Sequence, residues 1–409
     1  MKTLSYIKIF VLLIASYFVL CVLSSMIPNE RIKYFVKKSA IELDREGCYP
    51  KAVLNMNQCQ MDDFTDALIL NQMTCIDSKK PVISAMTVNR QNDNVNMTHA
   101  LLEYLQTDSG SSTQYARYWH GTTFVFRPFF LSMDYSTLRF FLFAISSVLL
   151  FLFAIKYSRK TNIWKTLLLI TSFLSCYVFV MQFSLQFFPV LAITLGGATL
   201  LCNDNNRINS NIGLFFFIIG SITSFFDLLT TPLLTLGFPL LVWISLQPDE
   251  QTEIKKDIVS IIKHSVSWFS GFALTWVAKW LLGTIVLGEN IFRDAWQQSV
   301  YRLDVEDFTR WDAVSQNFGM LNFPLIIIAL SLILIAIVVS FNKKGWKKAV
   351  LFVIVGLFPY CWYFVLSNHS YLHWWFTYRG QITSVACCLL ALASFVSTPM
   401  RKPMQNQQH

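Results

Sequence analysis

Charged residues are scarce in this chain, and their scarcity excludes most classes of soluble protein. Only 14% of the 409 residues are Asp, Glu, Lys or Arg, whereas roughly a quarter is usual in soluble domains. A chain of this length with so little charge cannot cover a globular surface in water. Hydrophobic residues make up 54% of it, and the mean hydropathy is +0.46. The composition therefore indicates a polytopic membrane protein.

Glycine, proline and cysteine are also sparse. The 15 Gly, 12 Pro and 9 Cys exclude collagen-like fibres and small disulfide scaffolds, and the apolar composition excludes disorder. No CxxC, HExxH or zinc-ligand spacing occurs. Cys48, Cys59 and Cys75 precede the second apolar run, where an oxidising exterior would allow two of the three to pair, in a combination that sequence does not specify. The absence of an internal repeat argues against a secondary transporter.

Apolar runs long enough to cross a bilayer, about 20 residues each, recur along the chain. The runs 164–202 and 212–246 are too long for single crossings, so each is predicted to turn back, the first near Pro189 and the second between Asp227 and Pro232. The sequence thus predicts an all-α polytopic membrane protein with about ten transmembrane helices: 7–27, 138–157, 164–183, 185–202, 212–226, 228–246, 265–288, 323–341, 349–366 and 381–396.

Lys and Arg are unequally distributed between the two sides of this arrangement. With the N-terminus inside, sixteen lie in inner segments: Lys2, Lys8, Lys156, Arg159, Lys160, Lys165, Arg207, Lys255, Lys256, Lys263, Lys343, Lys344, Lys347, Lys348, Arg401 and Lys402. Four lie in the short outer loops: Arg293, Arg302, Arg310 and Arg379. Such asymmetry is typical of positive-inside orientation and predicts a multi-pass plasma-membrane protein, of bacterial type, with both termini cytoplasmic. It also explains the net charge of +9 without a nucleic-acid partner.

The chain is predicted to have four parts. Residues 1–27 form an N-terminal signal-anchor span, because the apolar run is longer than a typical signal-peptide core and no Ala-x-Ala site follows. Residues 28–136 form an extracytoplasmic loop domain, 137–397 the multi-span domain, and 398–409 a cytoplasmic tail.

The loop domain is predicted to be helical. Residues 30–46 have apolar side chains at helical spacing and stop at Gly47, which favours an amphipathic helix resting on the outer membrane surface. Further helices are predicted over 63–74 and 96–106.

Three carboxylates, Asp62, Asp63 and Asp66, lie close together in this loop domain. Mutual repulsion and partial burial would raise the pKa of at least one of them. A carboxylate near the membrane surface can then accept a proton from an alcohol as a general base. Helix capping is the alternative, with Asp62 or Asp63 at the N-cap and Asp66 favouring the helix dipole, although capping requires only one Asp.

Two outer strings combine aromatic and basic residues. In YARYWHG (115–121), Arg117, Trp119 and His120 are candidates for binding an acceptor or a sugar, since aromatic rings stack on sugars and Arg binds anionic oxygens. The alternative for Tyr and Trp at this depth is an interfacial belt. In NHSYLHWWFTYRG (368–380), Trp374 is a further sugar-stacking candidate. Arg379 opposes the orientation rule, so a lipid headgroup, a carboxylate of 62–66 or a phosphate is expected to hold it.

Two charges fall within or beside predicted spans. Lys279 lies between Trp276 and Trp280, and Asp227 lies at an outer turn. Intramembrane charges favour a functional role, against which stand snorkelling for Lys279 and turn capping for Asp227. In the outer loop 289–322, Asp294, Asp304, Glu306, Asp307 and Asp312 with its three Arg are interpreted mainly as solvated surface.

In these features the chain resembles the GT-C class of membrane glycosyltransferases, which transfer a sugar from a polyprenyl-phosphate carrier to an acceptor outside the membrane. One anchor span, a large outer loop with an early acidic motif and many spans with a polar outer rim carry the resemblance. It implies that Asp62, Asp63 or Asp66 is the base and that Arg379, Lys279 and His373 bind the lipid phosphate. The two strings also resemble those of uncharacterised bacterial membrane proteins linked to surface polysaccharides. The acidic motif lies further from the first span than is usual in this class, and many relatives have a soluble C-terminal domain.

The sequence therefore predicts a glycosyltransferase whose partners are a polyprenyl-phosphate-linked sugar, membrane lipid and a glycan or lipid acceptor, with metal dependence left open. A lipid-linked-glycan flippase or transporter is a rival, but it would need a polar path that the inner halves of the spans lack. A non-enzymatic polysaccharide-assembly protein, which would use the outer loop as a docking surface, is the other rival.

Overall fold

The computed structural model describes residues 2–91, 96–107, 110–203, 208, 210–303 and 308–397, with side chains from residue 4 onward. Several residues of the charge pattern lie outside this part of the chain. They are the side chain of Lys2, Arg207, Asp304, Glu306, Asp307, and the predicted tail 398–409 with Arg401 and Lys402.

Most of the described residues are helical, and the only strands among them are one pair of two residues each, which confirms the predicted all-α class. In the first third, the helices are α1 (Lys2–Ser25), α2 (Asn29–Glu46), α3 (Asp63–Thr74), α4 (Pro81–Thr87), α5 (Met97–Thr107) and α6 (Gly121–Phe126). The strands β1 (Arg90–Gln91) and β2 (Ser112–Thr113) pair antiparallel, with Arg90 opposite Thr113.

The rest of the chain is a succession of longer helices. They are α7 (Tyr135–Lys160), α8 (Ile163–Ser175), α9 (Phe179–Gln182), α10 (Phe188–Leu201), α11 (Ile212–Phe226), α12 (Leu234–Leu246), α13 (Ile254–Leu287), α14 (Ile291–Leu303), α15 (Arg310–Phe318), α16 (Phe323–Val339), α17 (Trp346–Gly356), α18 (Phe358–Val365), α19 (Ser367–Leu372), α20 (Trp374–Thr377) and α21 (Ile382–Ala393). Short 3-10 turns are Asn57–Cys59, Arg127–Leu131, Asp249–Gln251, Lys343–Gly345 and Tyr378–Gln381.

Fewer helices than the ten expected have the length to cross a membrane. By length and composition, four of the described helical segments qualify: Leu4–Ser25, Tyr135–Lys160, Ile254–Leu287 and Lys343–Val365. A fifth results if α15 and α16, which are bent by 74° at their junction, form one broken span. The predicted arms α8, α10, α11 and α12 are apolar but only 13 to 15 residues long. Such helices reach about 20 Å, short of a ~30 Å hydrocarbon core.

The predicted turn near Pro189 is a helical hairpin. Pro189 itself begins α10, where its missing N–H costs nothing, and the turn lies just before it at residues 176–187. Lys156, near the end of α7, donates to Asn203 just after α10 at 2.7 Å. Because α8 starts only two residues after α7, the end of α8 and the start of α10 meet at the turn, and their other ends lie near the end of α7.

The predicted turn between Asp227 and Pro232 is also confirmed, because α11 ends at Phe226 and α12 begins at Leu234. Helix α11 then packs very closely against α13. A side chain at Gly220 would lie 2.0 Å from a backbone atom of Trp268, and one at Gly271 equally close to Phe217. Small residues at both contact points let the two backbones approach, as in other membrane helix pairs.

The loop domain has the predicted helices, but α2 is not placed as expected. Helix α2 ends at Gly47, which has φ +79°, and α3 and α5 match the predicted ranges closely. The apolar face of α2, including Ile32, Val36 and Leu43, is buried in a cluster formed with α3, α5 and the start of α7. Its hydrophobic side is therefore covered by protein. The cysteines of this domain, Cys48, Cys59 and Cys75, are all free thiols.

Candidate functional site

The acidic motif lies at the buried N-terminus of α3. Asp62 caps this helix, since its Oδ1 accepts the backbone N–H of Thr65 at 3.1 Å and its Oδ2 accepts the Thr65 hydroxyl at 3.0 Å. The capping interpretation is therefore confirmed for Asp62. The carboxyl is 2% exposed, and burial raises its pKa to about 7, against the lowering effect of the Thr65 hydrogen bonds. A carboxyl that titrates near neutrality is suited to accept a proton.

Asp66 binds residues 184–186, more than a hundred positions further along the chain. Its Oδ1 accepts the Ser184 hydroxyl at 3.1 Å and the Gln186 N–H at 3.0 Å. Its Oδ2 accepts the Leu185 N–H at 3.0 Å and the Tyr135 hydroxyl at 2.8 Å. Four donors satisfy this fully buried carboxylate, which fastens the turn between α8 and α10 to the loop domain. Among the three Asp, it has the least spare acceptor capacity.

Asp63 lies beside Arg139, a cation that the sequence analysis did not identify as a site residue. Its Oδ1 accepts the Tyr135 hydroxyl at 3.3 Å and lies 3.8 Å from Nη2 of Arg139, while Oδ2 has no partner. Arg139 also binds Glu46 at 2.9 Å. Burial raises the pKa of Asp63, opposed by the Arg139 charge. A charged residue directly inside the predicted span 138–157 was the available cue for Arg139. As expected, at least one carboxyl of the motif has a raised pKa, and burial is the main cause.

Arg379, more than 300 residues away in sequence, meets the segment that leads into the acidic motif. Its Nη2 donates to the carbonyls of Gln58 and Gln60, both at 3.3 Å, and the guanidinium packs 5.2 Å from the Phe187 ring centroid. The side chain is fully buried, yet Nε and Nη1 have no hydrogen-bond partner. No described carboxylate forms an ion pair with Arg379, although its charge helps to lower the pKa of Asp62. Arg379 and the acidic motif 62–66 are thus neighbours, but no ion pair between them is found within the described residues.

The string 368–380 continues from Arg379 along an aromatic path. His373 stacks on Phe376, with centroids 5.1 Å apart, and Phe376 lies 5.7 Å from Phe187, the ring beneath Arg379. Nδ1 of His373 is buried without a partner. Trp374 is partly exposed and lies edge-on to Trp375. His373, Trp374 and Arg379 are therefore in one region.

Lys279 lies elsewhere, against a different part of the loop domain. Its Nζ donates to the carbonyls of Ala85 and Met86 at the end of α4, both at 3.1 Å, and approaches the Met86 sulfur at 3.9 Å. The ammonium also lies 5.6 Å from the Trp119 ring centroid. Backbone carbonyls at a helix C-terminus are favourable partners for a cation. The structure does not bring Lys279 to Arg379, and its phosphate-binding role stays a prediction.

Trp119 and His120 fix the string 115–121 within the fold. Trp119 is fully buried, and its indole N–H donates to the Thr275 carbonyl at 2.8 Å. His120 donates from Nε2 to the Tyr115 carbonyl at 3.0 Å, so Nδ1 accepts from the Gln72 amide at 3.2 Å. Burial holds the pKa of His120 well below its ordinary value, which keeps the ring neutral.

Arg117 is the member of that string nearest to solvent. It pairs with the exposed Asp294 at 3.2 Å and stacks 4.3 Å from the Tyr115 centroid, while its Nε has no partner. The predicted acceptor-binding roles of Arg117, Trp119 and His120 stay predictions, and only Arg117 has an accessible charge.

An apolar cavity of about 530 Å³ opens between α13 and α18. Trp268, Phe272 and Trp362 are among its walls, and Arg302 is its one charged lining residue within the described chain. Arg302 donates to the Tyr118 hydroxyl. Burial, and after it the Arg302 charge, lowers the pKa of His373 to about 4, so Arg302 links the cavity electrostatically with His373. Sequence offered no cue that separates Arg302 from Arg293 or Arg310.

Asp227 lies at the turn between α11 and α12. Asp227 caps its own turn, because Oδ1 accepts the Thr230 N–H at 3.0 Å and also the Thr230 hydroxyl. The capping interpretation is confirmed, and Oδ2 is left without a partner. Within the residues that the structure describes, no three His, Cys, Asp or Glu side chains are grouped so that they could hold a metal ion.

No protein family model matches the chain, and no curated protein or solved structure is significantly similar to it.

Proposed function

We propose that this protein is a membrane glycosyltransferase that transfers a sugar from a polyprenyl-phosphate carrier to a glycan or lipid acceptor on the outer face. One observation carries the proposal. A buried arginine with two unsatisfied nitrogens, Arg379, donates to the carbonyl of Gln60, two residues before Asp62, a carboxyl whose pKa burial raises to about 7. Buried polar atoms without partners are rare in folded proteins and call for an explanation. A phosphate beside Arg379 would satisfy its two free nitrogens, and Asp62 would serve as the base for an acceptor hydroxyl.

Asp62 is the proposed base. Asp66 accepts four hydrogen bonds, and Asp63 is engaged with Tyr135 and Arg139. Among the described residues, Asp62 has only Thr65 as a hydrogen-bond partner, and its pKa is raised mainly by burial and lowered in part by the Arg379 charge. Its ionised form takes the proton of the acceptor hydroxyl as that oxygen bonds to the anomeric carbon.

The bond that breaks is the one between the anomeric carbon and the phosphate oxygen, and the electron pair leaves with the polyprenyl phosphate. Arg379 stabilises the charge that develops on this oxygen, which is often the largest single catalytic contribution. The apolar cavity beside Arg302 provides walls suited to the first isoprenoid units. His373, between the two arginines, contributes a further polar group at the phosphate end, and Arg117 and Trp374 contact the acceptor or sugar.

A membrane topology belongs to this proposal. The two hairpins α8–α10 and α11–α12 each enter the membrane and return, so that ten apolar segments and a positive-inside distribution leave both termini in the cytoplasm of a bacterial-type plasma membrane. The short arms are shielded by their longer neighbours α7 and α13. A reporter fused after Ile208 is then cytoplasmic and one fused after Trp311 external, whereas finding both on one side contradicts the topology.

An assembly protein without catalytic activity is the alternative that the buried carboxylates favour. The hydrogen bonds of Asp66 and the capping by Asp62 give two of the three Asp structural tasks. In that case none of them needs to meet a substrate.

The deciding experiment replaces Asp62 by Asn, which keeps the shape and most capping ability but removes the basicity. Asp134→Asn is the matched control, because Asp134 also caps a helix from a buried position, with Oδ1 accepting the Thr137 N–H at 2.9 Å. In membranes that contain radiolabelled polyprenyl-phosphate sugar and acceptor, we expect Asp62→Asn to slow sugar consumption by about 10²–10⁴-fold. Asp134→Asn should retain transfer. Equal activity of the two variants at equal expression would favour the assembly protein.

A further inference from the structure

A large cavity lies at the opposite end of the molecule from the candidate site. It has a volume of about 1380 Å³ and is enclosed by the inner ends of α1, α10, α11, α12 and α13. Lys8, Lys160, Lys263 and His264 line it, and none of its described lining residues is acidic. The cavity is thus a concentration of positive charge within the ends of apolar helices.

Two of the lysines at this cavity have no ion pair within the described residues. Neither Lys8 nor Lys263 forms an ion pair with a described carboxylate. A smaller neighbouring cavity on the same side, of about 270 Å³, differs in this respect, because its Lys348 pairs with Asp249 at 2.5 Å. Ordinary positive-inside anchoring needs only basic residues near the membrane surface and does not require them to surround a cavity.

A second unsatisfied group lies at the same cavity. The His264 ring is held between Phe216, stacked at 5.4 Å, and Trp243, edge-on at 5.0 Å. Its Nδ1 is buried and has no hydrogen-bond partner. A fixed ring with an unused nitrogen, at the same cavity as two lysines that have no described ion pair, can contact the polar oxygens of an anionic ligand.

The apolar walls of the cavity favour a lipid over a small soluble ligand. Leu201, Leu246 and Val266 line the cavity together with the lysines. A small soluble phosphate would leave these apolar side chains in water, whereas the glycerol and first acyl carbons of a phospholipid would cover them.

We propose that the cavity at Lys8, Lys263 and His264 binds the headgroup of an anionic phospholipid of the inner leaflet. The site is independent of the proposed transferase activity, because it lies at the other end of the helices and requires only that the chain spans the membrane. The bound lipid joins the first helix to α11 and α13.

The test measures lipid retention by native mass spectrometry, with purified protein and an equimolar mixture of phosphatidylglycerol and phosphatidylcholine. The test variant is Lys8→Gln/Lys263→Gln. The matched control is Lys255→Gln/Lys256→Gln, which removes the same charge from exposed positions of α13 outside the cavity. Each basic residue near an anionic lipid contributes roughly a fivefold change in binding. We therefore expect wild-type protein and control to retain phosphatidylglycerol selectively and the test variant to lose about tenfold or more of it.

Four results would overturn the proposal. Equal retention of the two lipids by wild-type protein would remove the headgroup selectivity. Equal losses in both double variants would mean diffuse attraction without a site. Displacement of the lipid by excess soluble glycerol phosphate would assign the cavity to a soluble ligand. Lys8→Arg/Lys263→Arg keeps the charges, so it should retain phosphatidylglycerol, and loss in this variant with an unchanged melting temperature would also contradict the proposed site.

Discussion

Two buried cations, Lys279 and Arg379, have opposite surroundings. Lys279 has backbone carbonyls of Ala85 and Met86 for its ammonium, whereas Arg379 has two carbonyls for one nitrogen and none for Nε and Nη1. Both side chains are fully buried. A buried cation whose donors are satisfied holds the fold together, while one with unused donors is available to a ligand. From sequence, both Lys279 and Arg379 were expected to bind the lipid phosphate. Their hydrogen bonding distinguishes the two residues.

Arg127, like Lys279, is a buried cation whose hydrogen-bond donors have acceptors. Its guanidinium donates to the carbonyls of Ser24, Ile27 and Met73 and to the Asn29 side chain. It therefore closes the end of α1 against α3. The sequence analysis identified no role for Arg127, which precedes Pro128.

The largest expected effect concerns Arg379. Replacing it by Met should reduce sugar transfer by about 10²–10³-fold, because a positioned donor to a developing anion contributes this much. Arg379→Lys should also be impaired, since a point charge does not replace the planar fork. Arg379→Met also removes the donor to the Gln58 and Gln60 carbonyls, which costs about 1–3 kcal/mol of stability, so transfer is compared per folded molecule. Normal product formation by Arg379→Met in the radiolabelled assay would remove it from the site.

Lys279→Met should have the opposite profile. It leaves two buried carbonyls without a donor, which costs about 1–3 kcal/mol of stability. Transfer per folded molecule should remain within a few-fold of the wild type. Thermal unfolding in detergent together with the transfer assay checks both parts. A variant that is stable but inactive would place Lys279 in the site and end the distinction between the two cations.

The pH dependence of transfer sharpens the assignment of the base. The pKa of Asp62 is about 7, so its ionised fraction, and with it the rate, should rise about tenfold from pH 6 to pH 8. Arg379→Lys should keep this profile at a lower rate, because a positive charge remains beside the carboxyl. A rate profile that is flat over this range, measured with saturating lipid-linked sugar, would assign the base to another group.

A further effect, on stability alone, concerns Asp63. Burial raises its pKa above the ordinary value of 3.8, so the folded state binds a proton more tightly than the unfolded state. Stability should therefore fall as pH rises above the ordinary carboxyl pKa, by up to about 1.4 kcal/mol per pH unit while only the folded state is protonated at this group. Asp63→Asn should flatten this dependence. Melting temperatures of both proteins between pH 5 and pH 8 test it, and parallel curves would contradict the assignment.

Much of the fold could be predicted because it depends on local sequence. The ranges of α3, α5 and α11, the stop at Gly47 and the break after Phe226 follow from hydropathy, caps and turn residues within a few positions. The number of full-length spans could not be predicted in this way. Apolar runs do not reveal that α8 stops at Ser175, because the end of a helix among other helices depends on what it packs against.

The candidate site was predictable in its residue types and less so in its geometry. Asp62 and Arg379 were identified by position and charge, and they lie in one region. Arg302 and Arg139 were not identified, because their importance comes from Tyr118 and Asp63, which are distant in sequence. Trp119 was given a ligand-facing role from composition, but its ring is covered by protein on the α13 side.

The sequence by itself determined that this is a helical protein with segments able to cross a membrane, and where several of its helices begin and end. These properties depend on hydropathy and on contacts within one or two turns. Only the tertiary structure decided which buried charges are satisfied. Asp66 finds its donors at 184–186 and Lys279 its acceptors at 85–86, while Arg379 keeps two free nitrogens. Such pairings join residues one hundred to three hundred positions apart, and local patterns contain no information about which distant partner the packing will supply.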